Sequence, residues 1–246
     1  MKRIIAVIAL LTSISCGSDT IREVYNGENL TGLWYRDSGD AYGVEAWKIP
    51  HLVQDENSEV TITDCSSLDA IPPTFTKANS TLEGYPSFTI EHKSKMVMHL
   101  ENDDGPDDFN FIKVSDSTEF QSGKIQFDSN IEGSALIESN VCAYSAYRQD
   151  IKVVIVKTYF QDRELSVMFQ FTDEKYAEYD LPSDNATVIF GASYHEREYG
   201  YENLQVKNGQ IDIEESSNSK FRAKFNGTWL SESGTVTGFV DVDLLE

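Results

Sequence analysis

The stretch LSVMFQFT at residues 165–172 decides the fold class, because every second side chain in it is large and apolar. The residues on the apolar side of this alternation are Leu165, Val167, Phe169 and Phe171. Successive side chains of a strand point to opposite faces, so a period of two indicates a strand with one buried face. The same period recurs at residues 210–214, 220–225 and 235–242. The chain therefore reads as a series of β-strands.

The alternation also predicts which side chains of these strands form the core. We expect one face to point inward, at Phe169, Phe171, Phe221, Phe225, Val240 and Val242. The opposite face carries Lys220, Arg222 and Lys224, which we expect in solvent. Residues 151–156, IKVVIV, are apolar on both faces and predict a central strand.

Turn residues separate the strands, and no window of about ten residues has the pattern of an amphipathic helix. Asn208-Gly209 predicts a hairpin turn, and Asn226-Gly227 predicts either a hairpin or a bulge. Many short strands with frequent turns predict an all-β fold, either an antiparallel sandwich or a barrel. We favour a β-sandwich built as two packed β lobes over one continuous barrel. We place the N-terminal β lobe at residues 29–148 and the C-terminal β-sandwich lobe at residues 149–246.

Residues 1–16, MKRIIAVIALLTSISC, have the features of a secretory signal. Lys2 and Arg3 precede a short apolar run, and small residues lead up to Cys16. The apolar run is shorter than the roughly 20 residues that a membrane-spanning helix needs. We therefore predict an exported protein with a signal peptide at residues 1–15 and a polar tether at residues 16–28.

The segment can be processed in two ways, which differ in what happens to Cys16. An ordinary signal peptidase could cut after the small residues, or Cys16 could become the lipidated N-terminus of a segment that resembles a bacterial lipobox. Ser13 stands where a lipobox usually has leucine. The residue after the cysteine is Gly17 rather than aspartate, which by resemblance to lipoproteins of Gram-negative bacteria implies the outer membrane.

The number of cysteines favours the lipoprotein. The chain has 3 cysteines, and an odd thiol is unfavourable outside the cytoplasm. If Cys16 carries lipid, Cys65 and Cys142 remain to form a disulfide, which export favours. The alternative for this pair is two buried free thiols. We predict the bridge and a membrane anchor formed by the N-terminal lipid.

The charge balance excludes several function classes. The chain carries 41 acidic residues against 20 lysines and arginines, a net charge of −21. Such a surface repels nucleic acid and anionic lipid, so we expect no nucleic-acid partner and no membrane contact beyond the lipid anchor. Hydrophobic residues make up 40 % of the chain, which excludes the disordered class.

Two stretches of sequence resemble known families. The strand-and-turn pattern of residues 165–171, 208–213, 220–225 and 234–239 resembles the C-terminal β-sandwich of uncharacterised bacterial envelope lipoproteins, which implies a fold and a location but no activity. Gly32-Leu33-Trp34-Tyr35 is similar to the Gly-x-Trp strand that opens lipocalins. The chain is long for that family and repeats the tripeptide at residues 227–229. The alternative for Trp34 is a tryptophan that plugs the end of a core.

The strongest binding candidate is the segment FGASYHEREYGYE at residues 190–202. It places four aromatic side chains among charged residues, and such tyrosines can stack on a sugar ring or contact a protein partner. The four are Tyr194, His195, Tyr199 and Tyr201. The alternative is a strand and hairpin whose tyrosines cover the face of a sheet.

The remaining candidates for chemistry are weaker. Residues 101–108, ENDDGPDD, offer carboxylates for Ca²⁺ but lack the spacing of an EF-hand loop, and a solvated loop is the favoured interpretation. The chain has no P-loop, G-x-G-x-x-G or G-x-S-x-G motif. The 4 histidines, His51, His92, His99 and His195, lack metal-binding spacing, and we expect structural roles for them. We assign no catalytic residue, no metal site and no cofactor.

Two functions stay open at this point. The favoured one is a non-catalytic, β-rich lipoprotein of the bacterial cell envelope, a binding or structural module with a protein or glycan partner. The alternative is an extracytoplasmic hydrolase or lyase that acts on polysaccharide in a sandwich cleft. An aromatic-lined groove with two facing carboxylates about 5–10 Å apart would favour the enzyme.

Overall fold

The structure is a computed structural model that describes residues 29–37, 48–68, 71–102, 105–130, 133–148, 150–160, 163–172, 176–193, 201–229 and 234–245. The regular structure in these ranges consists of β-strands and one 3₁₀ turn, Cys65–Ser67. Every strand pairing is antiparallel, apart from an isolated bridge between Gln121 and Val141. The predicted all-β, antiparallel class is confirmed.

The first eight strands form a closed barrel. Each strand pairs with the next along the chain, and the last pairs back with the first. The strands are β1 (Gly32–Asp37), β2 (Lys48–Glu56), β3 (Glu59–Asp64), β4 (Thr74–Ala78), β5 (Thr81–Glu83), β6 (Ser87–His92), β7 (Lys95–Asn102) and β8 (Gly105–Ser115). This up-and-down order removes both sheet edges.

Alternate residues of the barrel strands point inward and fill much of its interior. The buried set is Leu30, Trp34, Val53, Val60, Ile62, Phe75, Leu82, Phe88, Ile90, Met96, Met98 and Phe111. Trp34 is fully buried, and its indole N–H donates to the carbonyl oxygen of Leu30 at 2.9 Å. Trp34 therefore plugs one end of the core, as the alternative interpretation of residues 32–35 predicted.

The remaining ten strands form one sheet, curved into a half-barrel. They are β9 (Gly123–Ser129), β10 (Gly133–Ile137), β11 (Cys142–Arg148), β12 (Ile151–Phe160), β13 (Arg163–Thr172), β14 (Ala177–Leu181), β15 (Ala186–Ser193), β16 (Tyr201–Ser216), β17 (Lys220–Trp229) and β18 (Thr235–Asp243). Their order is β10-β9-β18-β17-β16-β15-β13-β12-β11, with β14 paired to β16 beside this path.

The long strand β16 corrects the predicted hairpin at Asn208-Gly209. The strand runs through these residues, and its register with β17 shifts between Lys207 and Gln210. Asn208 has φ of 46°, the left-handed conformation that asparagine tolerates, so the dipeptide forms a bulge. Before the bulge β16 pairs with β15, and after it with β14. The bulge is thus the point at which β16 changes its neighbour.

The predicted core of the C-terminal strands is confirmed. Phe169, Phe171, Phe221, Phe225, Val240 and Val242 are all at most 2 % exposed. Ring centroids of Phe169 and Phe221 lie 5.0 Å apart, which packs β13 against β17. Lys220, Arg222 and Lys224 lie on the opposite face and form ion pairs there with Asp241, Asp243 and Glu214.

The two sheets meet through an apolar cluster that we call the junction. Its buried members are Ile49, Leu52, Cys65, Phe120, Cys142 and Tyr144, and Ile155 packs against them. β2 of the barrel lies against β11 of the second sheet.

The junction explains why residues 151–156 are apolar on both faces of their strand. Val154 and Val156 point into the core, and Ile155, on the other face, contacts the junction.

The strand pairing divides the chain earlier than the predicted boundary at residues 148/149. β9, β10 and β11 belong to the second sheet, so the division falls between β8 and β9. β9 pairs with β18, and Ser129 lies opposite Val236. Such a pairing between distant segments leaves no local mark in the sequence, so the division between the two sheets differs from the boundary predicted at residues 148/149.

Candidate functional site

A cavity of about 220 Å³ lies at one end of the barrel, which we call the barrel mouth. Its wall is mainly apolar. The apolar lining residues are Ile62, Phe75, Phe88, Met98 and Phe111, with Ile71, Pro72, Pro73 and Pro86 at the rim. Three charged or titratable side chains also line it, Arg36, His51 and Asp64. An apolar wall with a few polar groups is the usual composition of a small-molecule site.

The strand register brings the three polar side chains to the barrel mouth. Trp34 lies opposite His51 in the β1–β2 pair, and His51 lies opposite Asp64 in the β2–β3 pair. Directly paired residues point to the same side of a sheet, so His51 and Asp64 face inward with Trp34. Arg36 follows Trp34 by two positions and shares its face. Trp34 thus closes the barrel below the site, and Arg36 lies at the opening.

His51, which is buried, forms a polar pair with Asp64, which is half-buried. Nδ1 of His51 lies 2.8 Å from the carbonyl oxygen of Ile49, and Nε2 lies 3.3 Å from Oδ2 of Asp64. Both ring nitrogens therefore face acceptors, and the ring can donate to both only as imidazolium. The ring also packs edge-on against Phe111, with centroids 4.8 Å apart. These contacts hold the imidazole in one orientation in the cavity wall.

Asp64 is held as a carboxylate. Its Oδ1 accepts the backbone N–H of Ser66 at 2.6 Å and caps the 3₁₀ turn. Burial opposes ionisation of Asp64, but the hydrogen bond and charge of His51, together with Ser66, outweigh it and hold the pKa well below its usual range. A lowered folded-state pKa means that this stabilisation is present above the ordinary aspartate pKa and is lost as the pH falls toward the folded value.

Arg36 has a different environment. Its guanidinium carbon lies 5.7 Å from the centre of the Phe109 ring, a cation–π contact. Its Nε is buried and has no hydrogen-bond partner among the described residues. None of their carboxylates forms an ion pair with Arg36. Within the described part of the chain, the barrel mouth therefore holds a cation with an unused donor.

The far end of the barrel is closed by paired groups. Asp55 accepts the backbone N–H of Leu30 at 2.8 Å and the ammonium of Lys77 at 2.6 Å. The side chains of Asp55 and Lys77 are 4 % and 11 % exposed. Because this buried pair satisfies its own charges, the closed end contributes to stability, and access to the cavity is from the barrel mouth.

The second sheet holds the rim of the cavity. Cys65, directly after Asp64, is joined to Cys142 of β11, with Cα atoms 6.1 Å apart. The predicted disulfide is confirmed. Lys157 of β12 donates to the carbonyl oxygen of Ser66 at 2.5 Å and pairs with Glu164 of β13 at 2.7 Å. Glu164 in turn accepts the backbone N–H of Leu68 at 2.8 Å. We call residues 64–68 with these partners the rim clamp.

Replacing Glu164 by glutamine tests the rim clamp. Glu164 is 1 % exposed, and its loss leaves the Lys157 ammonium in a buried site without its carboxylate. Breaking a buried ion pair from one side costs about 3–5 kcal/mol. We expect the lower end, about 3 kcal/mol, because the amide still accepts a hydrogen bond and Ser66 still binds Lys157. Urea denaturation measures the change.

A matched control for this variant is Glu178→Gln, an exposed acid on β14 that accepts a hydrogen bond from Gln210. We expect its unfolding midpoint to stay close to that of the unsubstituted protein. Equal midpoints for Glu164→Gln and Glu178→Gln would show that the rim clamp does not stabilise the junction.

Most residues singled out as binding candidates are outside the part of the chain that the structure describes. Tyr194, His195 and Tyr199 lie outside the described residues, and so does Cys16. Tyr201 begins β16, and its side chain is likewise outside the described set.

His92, His99 and Asp108 of the acidic run have local partners. His99 lies between Thr89 and Asp108, with contacts of 2.8 and 2.7 Å, on the outer face of β7. His92 accepts from Ser94. Within the described ranges no three His, Cys, Asp or Glu side chains come together as a metal site. Asp64 is the single carboxylate among the described residues that line the cavity.

Sequence reasoning missed Arg36 and Asp64 and did not give His51 a place in a site. A signal for Arg36 was present, because it lies two residues after Trp34 and shares its inward face. His51 and Asp64 reach the mouth only through the register of three strands, which the residues themselves do not display.

Comparisons with known proteins add no family to this picture. Neither family models, nor curated proteins, nor solved structures gave a match to the chain. No helix among the described residues is long and apolar enough to span a membrane.

Proposed function

We propose that this protein is an exported, non-catalytic binding module whose barrel mouth takes a small, largely apolar ligand. One observation carries the proposal: the closed barrel is plugged at one end and has an apolar cavity at the other. Eight-stranded barrels have an interior that either fills with side chains or holds one small ligand. Here the interior is filled around Trp34, and the space remaining lies at the mouth.

The size of the cavity limits the ligand. An engineered protein cavity of about 150 Å³ binds benzene, and by the same ratio the 220 Å³ here suits about nine carbon atoms. At about 0.8 kcal/mol per buried methylene, an eight-carbon chain gains about 6 kcal/mol, which corresponds to a dissociation constant of about 10⁻⁵ to 10⁻⁴ M. We therefore expect a weak, reversible carrier or sensor of small molecules.

Exposed apolar side chains beside the opening support the proposal that the ligand enters the barrel from this end. Ile71, at the rim, is 88 % exposed, and Tyr85, next to the rim residue Pro86, is 72 % exposed. Such side chains offer an apolar path to a ligand that leaves water.

The cellular setting of this module rests on the N-terminal sequence. Cys16 is the lipidated N-terminus of a bacterial envelope protein, in the outer membrane, and the lipid is its membrane anchor. A protein or glycan partner of the segment at residues 190–202 is compatible with this role. The mature protein extracted from membranes should begin at Cys16 and carry the mass of a diacylglyceryl group; a soluble form with an unmodified Cys16 would contradict the anchor.

In the same proposal, the half-barrel is the element that supports the barrel. We regard the half-barrel as a β-sandwich whose two layers share β16 and enclose one core. The contacts of Phe127 with Phe190 and of Phe169 with Phe221 support this, because each joins two strands that lie on opposite sides of β16 in the sheet order. The likeness to envelope lipoproteins concerns this part of the chain.

Binding of 1-octanol tests the ligand site. We expect octanol to raise the thermal midpoint in proportion to the logarithm of its concentration, because it binds the folded state alone. Ile62→Phe fills the cavity and should abolish this shift. Val114→Phe is the matched control, since Val114 is 46 % exposed on β8 and lies outside the cavity; it should keep the shift.

A second variant covers the case in which Ile62→Phe does not fold. Phe88→Ala enlarges the same cavity and should extend binding to longer alcohols such as 1-dodecanol. The proposal fails if octanol does not stabilise the unsubstituted protein, or if neither cavity variant changes which alcohols stabilise it.

A further inference from the structure

Arg36 is the feature of the barrel mouth that an apolar ligand does not explain. Its Nε is buried with no hydrogen-bond partner in the described part of the chain, and its guanidinium contacts the face of Phe109. A buried donor without a hydrogen bond is unfavourable, and more so when the group is charged. A ligand that brings an acceptor to this point satisfies the donor.

The other charged groups near the site already have partners. Asp64 is bound by His51 and by the backbone of Ser66. At the closed end Asp55 is bound by Lys77 and Leu30. Of the described residues that line the cavity, Arg36 is therefore the cation whose donors remain available.

We propose that the cavity binds a small monocarboxylic acid, with its apolar body against Ile62, Phe88 and Met98 and its carboxylate on Arg36. This inference rests on the proposed function and adds the chemical class of the ligand. A planar guanidinium presents parallel N–H donors that match the two oxygens of a carboxylate. One arginine supplies one positive charge, which suits a monoanion better than a phosphate with two charges.

The net charge of the protein does not prevent this recognition. The chain carries a charge of −21, which repels anions at long range. At physiological ionic strength, exposed charges are screened beyond about 8 Å, whereas a contact inside the mouth is screened much less. The negative surface therefore slows the approach of the acid more than it weakens the bound state.

A comparison of octanoate with 1-octanol tests the inference, because the two probes share the chain length and differ in charge. We expect isothermal calorimetry to show octanoate binding about tenfold more tightly. Arg36→Gln should weaken octanoate binding at least tenfold and leave octanol binding within twofold. Arg36→Lys keeps the charge but loses the planar fork, and should give an intermediate loss.

Lys48→Gln is the matched control, since it removes one positive charge from the same end of the barrel. The Lys48 ammonium lies 5.3 Å from the centre of the Tyr35 ring, which belongs to the outer face of β1. We expect it to change octanoate affinity less than twofold. If both probes bind equally and Arg36→Gln affects neither, the carboxylate inference is wrong and the apolar site stands. If neither probe binds, the proposed function itself fails.

Discussion

Replacing Cys65 by serine should lower the free energy of unfolding by about 4 kcal/mol. The bridge joins residues 77 positions apart, and in the chain-entropy model a loop of this length stabilises by about 4 kcal/mol. The same bridge ties the cavity rim to β11, so its loss also loosens the rim clamp. Guanidinium denaturation under non-reducing conditions measures the change.

Two further measurements serve as controls for the bridge. Cys142→Ser and the double variant should lower the free energy of unfolding as much as Cys65→Ser does, because each of the three removes the same cross-link. When the bridge of the unsubstituted protein is reduced, its guanidinium unfolding midpoint should be similar to that of the serine variants. Single variants that differ from each other by more than about 1 kcal/mol, or that unfold like the unsubstituted protein, would mean that the bridge does not act as described.

Phe225→Ala should cost about 3–5 kcal/mol, the range for truncating a buried aromatic side chain. Phe225 is 2 % exposed, and its ring lies 5.7 Å from that of Phe169. The ring also covers Gly238 on β18, where an added Cβ would lie 2.2 Å from a ring carbon. The glycine therefore makes the room that the phenylalanine fills. Urea denaturation with a global fit of the slope gives the value.

The neighbouring residue supplies the control for this prediction. Lys224 points to the other face, where its side chain is 57 % exposed and pairs with Glu214. We expect Lys224→Ala to leave the unfolding midpoint close to that of the unsubstituted protein, because an exposed ion pair is screened by solvent. If Lys224→Ala and Phe225→Ala lowered the free energy of unfolding equally, the register of β17 would be shifted by one residue.

The faces of the C-terminal strands could be predicted because they follow from local alternation. Phe169, Phe221 and Val240 are each separated by one residue from the next core position, and a strand converts that spacing into a face. The Cys65–Cys142 pair could likewise be predicted, because it follows from the number of cysteines and from the export that the N-terminal sequence predicts. In both cases the deciding signal is contained in a few neighbouring residues or in a count.

Barrel closure and the lobe boundary could not be predicted in this way. Closure depends on the pairing of β1 with β8, in which Tyr35 lies opposite Ile112, and the boundary depends on the pairing of β9 with β18. These partners are distant in the chain, so local patterns cannot distinguish a closed barrel from two open sheets. The Asn208-Gly209 bulge shows the same limit, since one dipeptide serves turns and bulges alike.

The candidate site was hidden for a related reason. An arginine near the end of a strand is ordinarily a solvated cation. Arg36 lines a cavity because the barrel closes around the face that it shares with Trp34. His51 carried no metal or catalytic spacing in the sequence. Its meeting with Asp64 is a consequence of strand register, which becomes known only when the pairing of β2 and β3 is known.

The most direct test of the central claim is methyl NMR during titration with octanoate. The account predicts chemical-shift changes that saturate at Ile62 and Met98, which line the barrel mouth, together with unchanged methyl signals of Val188 and Val240 in the core of the second sheet. Saturating shifts at Val188 and Val240 with none at Ile62 and Met98, or no saturating shift at any of the four, would contradict it.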